Sequence, residues 1–280
     1  MKKIILNLLV IIPFFTHSCN AEHRKSDLDK ENLKGKVAVV TVENFNATEK
    51  FGEVHIEQLS MRSRYTYDKQ GNLIELKWFN ANGSFRYNHV FVFDEKSRLI
   101  EKRYYNLPEV LYSKTLYTYD DKGNNTELTN YSPIGIINYK FVYSYDEKGN
   151  QIELKVYDSK GNLERFSGFK YDNKRNQIER IRYTINGVFD GNTSYEYDRN
   201  GNIISEKRYD KNGELWQRTE YEYDDNGNQT NHNVYQKDGG IRFSSKQKYM
   251  EFDEKNNWLM KIRYYDNKPR TVQKRNIQYY

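Results

Sequence analysis

An aspartate that recurs every 26 residues constrains the fold of this chain more than any other feature. Most of these aspartates are followed by a glycine three residues later, and aromatic residues precede them at the first and third upstream positions. A fixed period of this length is typical of proteins built from tandem structural repeats. The spacing is 26 residues six times and then 29, for Asp68, Asp94, Asp120, Asp146, Asp172, Asp198, Asp224 and Asp253.

Each repeat contains two turn signals, because a second glycine column follows the first by twelve residues. Aspartate at the start of a turn accepts hydrogen bonds from the following backbone, and glycine at the fourth position adopts the left-handed conformation. Ser97, Arg175 and Asn256 replace this glycine in three repeats. The predicted structural turn residues are Asp68, Gly71, Asp120, Gly123, Asp146, Gly149, Asp198, Gly201, Asp224 and Gly227.

The residues between the turns indicate strands. Alternate aromatic residues such as Tyr195 and Tyr197 share one face of a strand, where stacking on neighbouring tyrosines explains most of them. Each repeat is predicted to form one β-hairpin, so residues 61–280 give eight hairpins. Because twist accumulates beyond about ten strands, we expect an all-β fold with one long, curved or spiralling antiparallel meander sheet.

The N-terminus has the pattern of an export signal over residues 1–18, with Lys2 and Lys3 before a short apolar run. It resembles a bacterial lipoprotein signal peptide, in which the cysteine after the signal carries a diacylglyceryl group. That resemblance implies that Cys19, the only cysteine, is lipidated. An ordinary secretory signal is the alternative. Residues 19–35 are predicted to be the lipidated cysteine and a charged tether, and residues 36–60 a region containing an N-terminal capping strand.

The repeat motif resembles the YD or Rhs repeat family, whose members include bacterial toxin shells and large cell-surface proteins. The aromatic-x-aromatic-Asp-x-x-Gly-Asn spacing and both glycine columns carry the resemblance over roughly residues 61–280. It implies a β-hairpin repeat sheet. Family shells use many more repeats than eight, so toxin encapsulation is not implied.

No pattern for catalysis, a metal or a cofactor is present in the sequence. The five histidines are scattered without metal-ligand spacing, and no nucleophile with an adjacent base is visible. The repeated aspartates could form a calcium ladder, but turn capping explains them better. A glutamate ladder beginning at Glu75 shares its face with Lys77, which predicts cross-strand ion pairs. The chain is therefore predicted not to be an enzyme, with no cofactor and no metal.

The net charge of +6 is too small for a nucleic-acid polycation, and no nucleic-acid partner is expected. Lipid-facing strands are also disfavoured, because both faces carry charges, for example Arg180 and Arg182 or Glu206 and Arg208.

The leading hypothesis is a lipoprotein of the outer membrane, facing the periplasm or the exterior, that binds a glycan or a cell-envelope protein on its curved sheet. A purely structural scaffold lipoprotein without a small ligand is the alternative. Trp78, Trp216 and Trp258 fall at three different phases of the repeat and are the candidate ligand-binding residues.

Overall fold

The computed structural model describes residues 26–280, which form one short helix and an eighteen-stranded sheet. No helix among these residues is long and apolar enough to cross a membrane. The elements are α1 Asp27–Lys30, β1 Val37–Lys50, β2 Glu53–Tyr67, β3 Leu73–Asn80, β4 Phe85–Phe93, β5 Leu99–Leu107, β6 Val110–Tyr119, β7 Asn125–Tyr131, β8 Ile137–Tyr145, β9 Gln151–Tyr157, β10 Leu163–Tyr171, β11 Gln177–Tyr183, β12 Phe189–Tyr197, β13 Ile203–Tyr209, β14 Leu215–Tyr223, β15 Gln229–Gln236, β16 Ile241–Phe252, β17 Trp258–Tyr265 and β18 Lys268–Tyr279.

The turns that begin with the repeated aspartates share one hydrogen-bonding pattern. In the turn after β8, the two carboxylate oxygens of Asp146 accept bonds from the backbone N–H and the side-chain amide of Asn150, each at 2.8 Å. Gly149 is left-handed there, with φ 78°. Arg175 occupies the same position at φ 69°, and its guanidinium donates to Asn150 Oδ1 of the neighbouring turn at 3.1 Å. We call the end of the sheet formed by these turns the Asp rim.

The sheet closes into a barrel, because β1 pairs with both β2 and β18. Thr41 lies opposite Arg64 on one side and opposite Asn276 on the other. The prediction of an all-β antiparallel meander is confirmed, whereas the expectation of an open curved or spiralling sheet is wrong. The strand expected to cap one edge of the sheet instead joins its two edges. Closure satisfies the backbone groups that an open edge would leave unpaired.

Tyrosine hydroxyls connect each repeat from the third onwards to the repeat before it. The tyrosine that precedes the turn aspartate donates to the backbone carbonyl twenty residues upstream, at 2.7–2.9 Å. In the last repeat Tyr249 makes this bond instead of Phe252, and the three extra residues include left-handed Glu251, φ 54°. The bonded pairs are Tyr119–Leu99, Tyr145–Asn125, Tyr171–Gln151, Tyr197–Gln177, Tyr223–Ile203 and Tyr249–Gln229.

The two faces of the barrel wall differ in solvation. Leu76 and Leu128 are buried and lie opposite Tyr65 and Tyr117, so the face that these residues share is the inner one. Burial also raises the pKa of Tyr65, Tyr117 and Tyr143 on this face. The glutamate ladder lies on the outer face. Its ion pairs differ partly from the cross-strand prediction, because Glu75 and Lys77 pair within one strand at 2.8 Å. Other within-strand pairs are Glu101–Arg103 and Glu153–Lys155, while Glu127–Lys140 and Glu179–Lys170 join neighbouring strands.

The segment from Ser26 to Gly35, part of the predicted tether, is docked on the Asp rim. Ser26 caps α1 through a capping box, and Leu28 packs in a core cluster with Leu33, Val40 and Tyr67. Three aspartate turns are bridged by this segment, through the pairs Asp27–Gly71, Asn32–Asn226 and Lys34–Asn257. The segment therefore crosses part of the barrel mouth.

Candidate functional site

The three candidate tryptophans lie in different environments and form no common site. Trp78 on β3 stacks on Tyr87 with ring centroids 5.4 Å apart, and its indole N–H is buried without a partner among the described residues. Trp258 on β17 is buried, whereas Trp216 on β14 is 40% exposed. Cys19, the predicted lipidation site, lies outside the described residues. The predicted turn residues all lie on the Asp rim.

The inner wall carries a group of basic side chains on β10, β11 and β13. Their inward direction follows from the ladder register and the alternation of side chains along each strand. From β10 to β13 the charged inner residues are Arg165, Arg180, Arg182, Arg208 and Glu206. One acid among four bases leaves this part of the interior strongly positive.

We call Arg180, Arg182 and Arg208 the arginine row. Thr193 lies opposite Arg180 on one side and opposite Arg208 on the other, so the two cations flank one small residue. Glu206 Oε1 accepts a bond from Arg208 Nε at 2.5 Å, which neutralises that guanidinium in part. The other two guanidinium groups have no carboxylate ion-pair partner among the described residues.

Arg180 and Arg182 are held by neutral groups. Arg182 donates to Tyr209 O at 3.1 Å and to Thr193 Oγ1 at 3.3 Å. Gly191 makes room for it, since a Cβ there would lie 2.5 Å from the Arg182 guanidinium. Arg180 lies over the Phe169 ring at 5.9 Å, and its Nε is buried without a partner among the described residues. Burial lowers the pKa of Arg180, and the neighbouring arginines add to this effect. Such a site favours an anion.

A groove of about 690 Å³ opens on the Asp rim beside the arginine row. Ile178, Tyr195 and Tyr197 line it, together with the turns at residues 172–176 and 198–201. Ile178 lies two residues before Arg180 on β11. Burial, followed by the charge of Glu206, raises the pKa of Tyr195. None of the three arginines lines the groove, but β11 and β12, which form its sides, carry or flank them.

A second basic group lies on β17 and β18 around Trp258. The Lys261 side-chain nitrogen is 4.7 Å from the Trp258 ring centroid and 5.5 Å from that of Tyr249, and the Arg275 guanidinium stacks on Trp258 at 3.4 Å. Lys261 is 8% exposed. Burial, with the charges of Arg263 and Arg275, lowers the pKa of Lys261 to about 7. This packed cluster is enclosed by its own rings, unlike the arginine row.

Among residues 26–280, no group of three or more His, Cys, Asp or Glu side chains could hold a metal ion. The aspartate carboxylates bind their own turns, so they do not converge on a common point.

The arginine row was visible in the sequence only as charged strand positions. Its residues stand eight and ten positions after the repeated aspartate, where Leu128 and Asn130 or Leu154 and Val156 stand in other repeats. Comparing the residues at these two positions of the repeat, from one repeat to the next, would have distinguished basic strands of the sheet from apolar ones. Gly191, outside both glycine columns, was a further signal.

No family model matches the chain, and no curated protein matches it significantly. A porin-like protein from Bacteroides uniformis is similar in structure at 12% identity and a TM-score of 0.44, over 86% of this chain and 98% of that one. A porin-like protein from Bacteroides vulgatus is similar at 10% identity and a TM-score of 0.30, over 88% of this chain and 99% of that one. The TcdB2-TccC3 protein is similar at 10% identity and a TM-score of 0.23, over 74% of this chain and 15% of that one. Likenesses of this size assign neither a family nor a function.

Proposed function

We propose that this chain is an exported, lipid-anchored protein of the cell envelope that binds an anionic ligand inside its barrel and catalyses no reaction. The arginine row carries the proposal: three partly buried guanidinium groups, of which only that of Arg208 has a carboxylate partner, lie near an open groove. An acidic glycan and an anionic lipid share the required chemistry. The YD-repeat resemblance agrees with a cell-surface or envelope role.

Binding should be lost when the charge is removed. Replacing Arg180 and Arg182 together by Gln should weaken binding of anionic ligands at least tenfold and reduce its salt dependence. Equilibrium dialysis with an acidic polysaccharide and a fatty-acid carboxylate, in low and high salt, measures this. Failure of both anions to bind the parent protein would favour the scaffold alternative.

The anchor has a separate test. Cys19→Ala should release the protein from the membrane fraction or leave the precursor uncleaved. An unmodified Cys19 in a processed, membrane-bound protein, detected by mass spectrometry, would contradict lipidation.

A further inference from the structure

The inner wall changes its chemistry at β10. On β6–β9 the inner residues are largely apolar or aromatic, and they lie side by side: Tyr117 is opposite Leu128, Leu128 opposite Phe141, and Phe141 opposite Val156. We call this sector the apolar wall. The arginine row begins on β11, one strand beyond the boundary.

One row of the ladder passes directly from the apolar wall to the arginine row. Tyr143 pairs with Leu154, Leu154 with Ser167, and Ser167 with Arg182. Adjacent strands are about 4.8 Å apart, so Arg182 lies roughly 10 Å from Leu154 along the wall. A single small molecule can therefore contact both chemistries.

The boundary is partly open to the interior. Ser167 and Thr193 are buried beneath the guanidinium groups of Arg180 and Arg182. The two arginines, Leu154 and Phe141 remain partly exposed. A purely hydrophilic anion would pair with the arginines but would leave the neighbouring apolar side chains in contact with water, which is unfavourable.

From this arrangement we infer that the ligand is an anionic amphiphile: its acyl chain lies on the apolar wall and its charged head group on the arginine row. The inference rests on the proposed function, since both use the same arginines. It narrows the ligand from any anion to one that carries an extended apolar part. Carboxylate and phosphate head groups both fit the planar guanidinium groups.

Equilibrium dialysis against the full chain carrying Cys19→Ser can separate the contribution of the head-group charge from that of the acyl chain. The three ligands are oleate, its uncharged analogue oleyl alcohol, and polygalacturonate, an anion without an acyl chain. Oleate should bind. Arg182→Gln should weaken oleate at least tenfold and leave oleyl alcohol unchanged, whereas Leu154→Asn should weaken both. Lys155 follows Leu154 in the chain and lies on the outer face, so Lys155→Gln is the matched control. It should change the binding of neither oleate nor oleyl alcohol.

Circular dichroism establishes that each variant is folded, and Arg208→Gln provides an independent loss of charge if Arg182→Gln does not fold. Polygalacturonate binding without oleate binding would overturn the amphiphile and leave the proposed function standing. Oleate binding that is unaffected by both arginine variants would also overturn it. Absence of binding by either anion would refute the amphiphile together with the proposed function.

Discussion

Lys261→Met should remove a pH dependence of folding that the parent protein shows between pH 7.5 and 9.5. Burial lowers the pKa of Lys261 to about 7 in the folded barrel, while an unfolded lysine titrates near 10.5. In this window the unfolded chain binds a proton that the folded chain has released. Lys261 therefore contributes a stability that increases with pH, by about 2 to 3 kcal/mol over the window.

Buried tyrosines act in the opposite direction, and their effect grows towards pH 9.5 because an unfolded tyrosine titrates near 10. Burial raises the pKa of Tyr65, Tyr117 and Tyr143, so the unfolded chain ionises them first and stability falls as the pH rises further.

Urea unfolding at pH 7.5, 8.5 and 9.5, in buffers free of oxyanions, measures the effect. The buried tyrosines and Lys102 contribute equally to the parent and to Lys261→Met, so the difference between the two proteins isolates Lys261. The stability of the parent relative to Lys261→Met should rise by about 2 to 3 kcal/mol across the series. Lys77→Met is the control, because Lys77 lies on the outer face and pairs with Glu75, and its curve should run parallel to that of the parent. Parallel curves for the parent and Lys261→Met would refute the assignment of the buried amine.

Three further substitutions test the wall and the turns by denaturant unfolding. Gly149→Val should cost about 1 to 3 kcal/mol, because φ is 78° and its Cβ would lie 3.3 Å from Asn124 Oδ1; an unchanged midpoint would contradict a strained turn. Tyr197→Phe should cost about 1 kcal/mol by removing the 2.7 Å bond to Gln177 O, and equal stability would show that the bond contributes nothing. Burial lowers the pKa of His89 to about 3, so the parent should lose about 1 to 2 kcal/mol between pH 7 and 5 as the unfolded imidazole binds a proton. His89→Phe should remove this part of the loss and keep the part that belongs to His232, whose pKa burial also lowers. An equal loss in the parent and the variant would disprove the assignment to His89.

The hairpins were predictable because their signals are local. Asp146, Gly149 and Asn150 lie within five positions, and the backbone bonds they make are fixed by their own chemistry. The role of Asn150 was missed, since its motif position alone does not show that its amide binds the aspartate.

Closure of the barrel was not predictable, because no sequence motif in β1 or β18 indicates that these two strands pair. Their pairing joins residues more than 200 positions apart, such as Thr41 and Asn276, and depends on how far the twist of sixteen intervening strands brings the edges together. Without closure the inner and outer faces could not be assigned. From the sequence alone, the charges of the arginine row therefore indicate only that these strands do not face lipid.

The barrel has an interior only if β1 pairs with β18, and a disulfide tests this pairing directly. Thr41→Cys with Asn276→Cys, in a Cys19→Ser background, should oxidise to an intramolecular crosslink, because directly opposite residues lie about 4.5 to 5.5 Å apart between Cα atoms. Thr41→Cys with Arg64→Cys joins the hairpin neighbours β1 and β2 and should crosslink whether or not the sheet closes. Mass spectrometry under non-reducing conditions should show both crosslinks in a monomer. A crosslink in the control pair, with free thiols or intermolecular dimers in the Thr41–Asn276 pair, would show that the sheet is open.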